Sequence, residues 1–237
     1  MCPAGSVSSP AGVTVDLIVL AGGRGSRLGG ALKPAVEVAG RTLLSRVLDA
    51  RPVARNAVVV GPPAARPAAG ERSSDALIWA LEDPPFGGPV AGIAAGLRAL
   101  ETTSDAPADW VLVLACDLPW GADAARLLVA AASALDTVGE QTVGEQTEGV
   151  HLTDDTGHAQ WLAGIYRTPA LRAAANRLGD RVNGASMREL LAGLNLAGLL
   201  DDSEAGADVD TWEDVESSTA RLAAAPTNQP DPRSDPE

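Results

Sequence analysis

Leu20-Ala21-Gly22-Gly23-Arg24-Gly25-Ser26-Arg27-Leu28-Gly29-Gly30 begins at the last residue of an apolar run, Asp16–Leu20, that reads as a β-strand. Six of these eleven residues are glycine or serine. That density suits a backbone in close approach to a ligand, or dihedrals closed to larger side chains. At the carboxyl end of a strand such a loop can wrap a triphosphate with its N–H groups. Arg24 and Arg27 add charge and donors, and Lys33 follows shortly after. Taken alone, the loop reads equally as a flexible turn with solvated arginines. Two common phosphate loops are excluded: the Gly-Lys-Ser/Thr ending of a Walker loop is missing, and Leu28 stands where a dinucleotide fingerprint needs its third glycine.

Outward from this loop, short apolar runs alternate with helical patterns. Strands are expected at Asp16–Leu20, Ala57–Val60, Leu77–Leu81, Trp110–Ala115 and Trp161–Tyr166. Helices are expected from Leu43 to about Ala50, Pro89–Leu100, Asp123–Leu135, Pro169–Leu178, Ser186–Leu194 and Trp212–Leu222. Pro89 suits a first helical position, and Thr211 with Asp214 forms a capping pattern in which Asp replaces the usual Glu. The alternation predicts an α/β fold, a Rossmann-like, mostly parallel sheet with helices on both faces. Residues 1–14 read as a flexible leader, 15–224 as the folded domain and 225–237 as a disordered, proline-rich tail. A tandem Thr-Val-Gly-Glu-Gln repeat within 137–148 is too short for a solenoid and reads as a variable surface loop.

The 237 residues suit one large domain, and 46% are apolar, enough for a sizeable core. Aromatics are only 3%, so Ala, Val, Leu and Ile must build it. The net charge of −13 argues against nucleic acid and anionic membranes as partners, so an anionic substrate needs a local cationic cluster. Of the two cysteines, Cys2 lies in the leader and Cys116 follows an apolar run, which argues against a disulfide framework. No apolar stretch is long enough to span a membrane, and the first residues lack the pattern of a secretion signal. The cytoplasm is the expected compartment.

Three more segments carry chemistry. Asp117, in Ala115-Cys116-Asp117-Leu118-Pro119, stands at the carboxyl end of a buried strand, where open parallel sheets bind ligands. A carboxylate there can hold Mg²⁺ against phosphate oxygens, or it can simply end the strand before a proline turn. The segment Glu82–Gly92 combines stiff prolines with open glycine backbone and suits either a base or ribose pocket wall or an ordinary turn. Asp208-Val209-Asp210-Thr211 puts two carboxylates at alternate positions, which can face one metal if the segment is extended or can belong to a helix cap. His151 and His158 lack a third ligand for zinc, and Cys116 reads as a packed residue and not a nucleophile.

In order and spacing these segments resemble the molybdenum cofactor guanylyltransferase family, the MobA-like nucleotidyltransferases, from about Asp16 to Leu222. The resemblance rests on Leu20–Gly23, Arg27, Gly29-Gly30 and Lys33, on Gly40–Leu43, Glu82-Asp83, Gly88–Gly92, Cys116–Pro119 and Trp161–Arg167, and on Asp208–Thr211. It implies a nucleotidyltransferase of the glycosyltransferase-A-like type that transfers GMP from GTP to the terminal phosphate of molybdopterin, releasing pyrophosphate. It further implies that Leu20, Ala21, Gly22, Gly23, Lys33, Asp83 and Asp117 bind nucleotide and that Asp117 binds Mg²⁺. We expect Asp210 as a further metal ligand and Arg27 and Lys33 as neutralisers of the leaving group. The partners implied are GTP, molybdopterin or another small phosphorylated acceptor, and transient contact with molybdenum cofactor enzymes. Leu32 replaces the family's Asp, and Lys33-Pro34 is the pairing of many sugar-nucleotide transferases. A cytidylyl or sugar-1-phosphate transferase, and a non-catalytic nucleotide-binding regulator, are therefore the rival readings.

Overall fold

The computed structural model describes residues 13–22, 28–70, 77–103, 106–139 and 146–224. The leader to residue 12, the tail from 225 and the heart of the tandem repeat (140–145) lie outside the described residues, as do Gly23, Arg24 and Arg27.

A seven-stranded sheet organises the chain in the order β5-β4-β1-β6-β8-β7-β9. The strands are β1 (Val15–Leu20), β4 (Ala57–Val60), β5 (Ile78–Ala80), β6 (Trp110–Ala115), β7 (Gly149–Thr153), β8 (Ala159–Arg167) and β9 (Leu196–Leu200). Only β8 runs against the rest, pairing antiparallel with β6 and β7. A small hairpin of β2 (Glu37–Val38) and β3 (Arg41–Thr42) stands apart. The helices are α1 (Leu43–Val47), α2 (Pro89–Glu101), α3 (Gly121–Gly139), α4 (Thr168–Leu178), α5 (Met187–Leu191) and α6 (Trp212–Ala224). Among the described residues no helix is long and apolar enough to cross a membrane.

Strand alternation sends neighbouring residues of β1 to opposite faces. Leu17 and Val19 join one core cluster with Leu44 and Val47 of α1 and Leu128 of α3. Ile18 and Leu20 join the other with Ile93 and Leu97 of α2 and Leu171 of α4. Both faces are thus covered by helices, and the all-apolar pattern of the central strands follows from burial on two sides. Six residues form a third, smaller cluster, in which Val209 and Val215 pack on Leu28, Val36, Val38 and Leu43. It fastens the C-terminal segment to the region after the glycine-rich loop.

Several boundaries differ from the sequence reading for local reasons. The first expected helix is α for only five residues and then tightens into a 3-10 turn through Val53, where Pro52 bars a regular ladder. Ser186 is not the first residue of α5 but its cap, in a reciprocal box with Glu189. Helix α3 begins at Gly121 and continues into the first copy of the repeat, to Gly139. Strands β7 and β9 were not read from the sequence. Gly149–Thr153 mixes polar and apolar residues, and Leu196–Leu200 has no β-branched residue.

The topology fixes where a ligand goes. From β1 the chain moves to one side, to β4 and β5, and then returns to the other side at β6. A crevice opens at the carboxyl ends of strands where the order reverses in this way. Here that point lies between Leu20 and Ala115, which are register partners.

Candidate active site

The start of the glycine-rich loop is held on both sides. Ala21 N–H donates to the Val60 carbonyl at 2.7 Å, and Cys116 N–H donates to the Leu20 carbonyl at 3.0 Å. Gly61 follows β4 and lies against this loop, where a Cβ would sit 2.7 Å from the Ala21 carbonyl oxygen. Only glycine allows that approach. Leu20 and Gly22 then line a cavity of about 300 Å³ together with Val60, Glu82, Phe86, Gly92 and Asp117.

Asp117 is the second residue after β6. Val209 N–H donates to its backbone carbonyl at 3.0 Å, which draws Asp208 and Asp210 alongside. One oxygen from each of Asp117, Asp208 and Asp210 lies within 4.8 Å of the others. Lys33, in a short 3-10 turn opened by Pro34, reaches into this group. Its Nζ is 2.5 Å from both Asp117 Oδ2 and Asp210 Oδ1. Burial disfavours the Lys33 ammonium, but Asp117 and Asp210 outweigh it and hold the group above the usual lysine value. Burial and the charges of Asp117 and Asp210 raise the Asp208 carboxyl. Cys116 is 2% exposed, and burial with the adjacent Asp117 pushes its thiol well up, so it is neither thiolate nor nucleophile.

The residues fit a hard divalent cation. Asp117 Oδ1 is buried without a hydrogen-bond partner, and the surrounding donors are all carboxylate oxygens, the preference of Mg²⁺. Asp208 joins Asp210, the expected ligand of the pair, in this group. The alternation of Asp208 and Asp210 was the legible signal, but the turn bringing both to Asp117 depends on the Val209 contact.

Glu82 and Asp83 separate. Glu82 lies between the cavity beside Asp117 and a second cavity of about 490 Å³ and lines both, whereas Asp83 is exposed and lines only the second, with Arg98, Arg172 and Asn183. The peptide bond between Asp83 and Pro84 is cis. The turn that follows is held by Phe86 N–H donating to Glu82 Oε1 at 3.1 Å, and by Gly184 N–H donating to the Gly87 carbonyl. Phe86, from the Glu82–Gly92 segment read as a pocket wall, and Leu162 of β8 also line the cavity beside Asp117. The histidines stay apart: His151 is buried in β7 with Nδ1 3.0 Å from the Leu152 carbonyl oxygen, and His158 is exposed in a turn. Thr211 caps α6 as expected, donating its hydroxyl to Asp214 and accepting from the Asp214 N–H.

Comparison with known proteins reaches the same region. The model of a family described as MobA-like NTP transferase domain matches residues 17–197. A molybdenum cofactor guanylyltransferase of Pseudomonas putida is 39% identical over 105 residues, 44% of this chain and 50% of that protein. One of Vibrio cholerae is 32% identical over 102 residues, 43% of this chain and 46% of that protein. The matched part of the chain thus spans about half the length of the curated relatives. A nucleotidyl transferase from Methanothermobacter superposes with a TM-score of 0.63 at 19% identity, covering 89% of this chain and 98% of that one. A 2-C-methyl-D-erythritol 4-phosphate cytidylyltransferase from Thermus thermophilus gives 0.59 at 18% identity, with the same coverage. These two share the fold.

Proposed function

The chain belongs to the family of MobA-like NTP transferase domains, and from that premise we propose that it transfers GMP from GTP to the terminal phosphate of molybdopterin, releasing pyrophosphate. One observation carries the reading. A cavity at the point where strand order reverses is bounded by the loop after β1 and by Asp117, with Lys33 and two further carboxylates beside it. The curated relatives named as guanylyltransferases support the choice of base and acceptor.

In this reaction a phosphate oxygen of the acceptor attacks the α-phosphorus of GTP. The new O–P bond forms as the bond to the bridging oxygen breaks, and the electron pair leaves with pyrophosphate. Positioning and charge neutralisation suffice, and the sealed Cys116 is not needed as a covalent carrier. The backbone of Leu20, Ala21, Gly22 and Gly23 holds the nucleotide. Lys33, with Arg27, offsets charge on the departing pyrophosphate. Asp117 and Asp210, joined by Asp208, would hold Mg²⁺, which when bound supplies Lewis-acid neutralisation of phosphate oxygens. The reaction belongs in the cytoplasm, and its product would be handed to molybdenum cofactor enzymes by transient contact.

A second reading keeps the scaffold and changes the substrates: Lys33-Pro34 favours a sugar-1-phosphate or cytidylyl transferase. Pyrophosphate release measured with each of four triphosphates, and with molybdopterin or sugar 1-phosphates as acceptor, separates them. Release with GTP and molybdopterin alone is expected. Release with CTP or with a sugar phosphate favours the rival, and nucleotide binding without release favours a regulator.

A further inference from the structure

Among the described residues three buried side-chain polar atoms lack a hydrogen-bond partner: Asp117 Oδ1, Thr168 Oγ1 and Arg172 Nε. The first belongs to the carboxylate group above. Thr168 and Arg172 both line one cavity of about 160 Å³ between α2, α4 and the start of β1. It shares no lining residue with the cavity beside Asp117. Asp16, which also lines it, lies about 13 Å from Leu20 along β1. Buried polar groups are nearly always bonded, so two orphans at one cavity point to a partner from outside the chain.

The walls define the chemistry of that partner. Thr168 opens α4 and is 4% exposed, and its N–H donates to the Asp109 carbonyl at 2.9 Å. Its hydroxyl is left to the cavity. Arg172, one turn further on, holds the exposed Glu101 at 2.5 Å through a terminal nitrogen. That pair forms the rim, with the Arg172 Nε–H inside. Alternation along β1 puts Asp16 on the face of Ile18 and Leu20, toward α2 and α4. Each oxygen of Asp16 accepts one bond, from Asn56 at 3.0 Å and from Arg55 at 3.4 Å. A carboxylate oxygen has about two acceptor positions, so capacity remains.

Charge balances across these walls, because Glu101 offsets Arg172 and Arg55 offsets Asp16. An anion would meet two carboxylates and a cation would meet the guanidinium, so a neutral ligand is favoured. Leu97, Leu100 and Pro107 add apolar surface. One water needs only about 10–15 Å³ of such space, and it needs polar partners on several sides. The cavity is far larger than that and partly apolar.

We infer that this cavity is a second ligand site, for a small neutral molecule with an apolar body and one amide edge. The carbonyl oxygen of the ligand accepts from Arg172 Nε–H and Thr168 O–H, and its adjacent N–H donates to Asp16.

The test is NMR titration of the full chain with δ-valerolactam, a cyclic amide, read at the Arg172 Nε–H and at the Leu97 and Leu100 methyls. Cyclopentanone, which has no N–H, and acetate, an anion, serve as comparison ligands. The lactam should shift these signals to saturation and leave the Leu162 methyls unmoved. Thr168→Val and Arg172→Lys should each weaken it by about tenfold, and cyclopentanone should bind wild type about tenfold less well than the lactam. Acetate should not bind. Thr168→Val also separates a ligand site from a trapped water. With no ligand the hydroxyl has no partner to lose, so the Tm of this variant should equal or exceed that of wild type. A fall in Tm would show a water holding the hydroxyl and overturns the inference. Lactam binding that does not saturate, that spares these signals, or that is equal in wild type and both variants overturns it as well.

Discussion

Replacing Lys33 by Met should destabilise the metal-free protein and make its stability depend on a divalent cation. Met keeps the unbranched shape but removes the ammonium that lies 2.5 Å from Asp117 and from Asp210. Three carboxylates within 4.8 Å then face one another without a counter-charge from this side chain. Stranding a buried charge costs about 3–5 kcal/mol, whereas an exposed pair is worth about 1 or less. Lys33 and Asp117 are 12% and 15% exposed and Asp210 is 37% exposed, so the intermediate figure of about 2 kcal/mol applies. For a domain of this size that is roughly 6 °C in Tm. The contribution of Lys33 is present in full below its unfolded value, 10.5, and is lost only as pH rises through the still higher folded value. The difference between the proteins should therefore be constant from about pH 7 to 9. Thermal melts in EDTA and in millimolar Mg²⁺ or Mn²⁺ give the answer, with the metal raising the Tm of the variant more than that of wild type. If the variant melts with wild type in EDTA and responds no more strongly to metal, Lys33 is not the counter-charge of the carboxylate group.

Asp117→Asn should reduce turnover by on the order of 10²-fold or more while the protein stays folded; near-normal metal-dependent turnover would exclude the role assigned to this carboxylate. Gly61→Ala should cost about 2 kcal/mol and weaken triphosphate binding, because its Cβ meets the Ala21 carbonyl at 2.7 Å and must move the loop. A variant that binds nucleotide normally would show that the loop position is unimportant. Thr211→Val should cost about 1 kcal/mol at neutral pH through loss of the α6 cap. Its hydroxyl, with the backbone N–H donors of Asp210 and Thr211, sets the Asp214 carboxyl below the usual range against an opposing effect of burial. Stability from a depressed carboxyl is present above its unfolded value and lost as pH falls through the folded one. The gap between variant and wild type, read from urea melts, should therefore narrow below about pH 4 and stay fixed if Asp214 is not coupled to Thr211.

The elements that the sequence showed best are those whose reason for forming is local or all-apolar. Trp110–Ala115 is buried on both faces, and its six-residue apolar run reads as a strand without further help. Pro89 and the Thr211–Asp214 pair mark helix starts by their own chemistry. Strand β9, by contrast, is a sheet edge made of Leu-Ala-Gly-Leu-Leu, and its strand state comes from pairing with β7. In the site, Leu20, Ala21, Gly22 and Asp117 could be placed because strand ends deliver them to one point. The joining of Lys33 to Asp117 and Asp210 spans 177 residues between Lys33 and Asp210 and depends on the small core under α6, which no local pattern encodes. The separation of Glu82 from Asp83 is set by the turn through Pro84 and Phe86. An adjacent pair of acids in a sequence does not reveal which of them lines the cavity beside Asp117.

The central claim is tested most directly by following the phosphates of GTP. With GTP labelled at the α-phosphate, molybdopterin as acceptor and Mg²⁺ present, the label should enter the pterin product, and with GTP labelled at the γ-phosphate it should appear only in pyrophosphate. Label from the γ-phosphate in the acceptor, or α-label that remains in free guanine nucleotide while the protein binds GTP, would contradict guanylyl transfer.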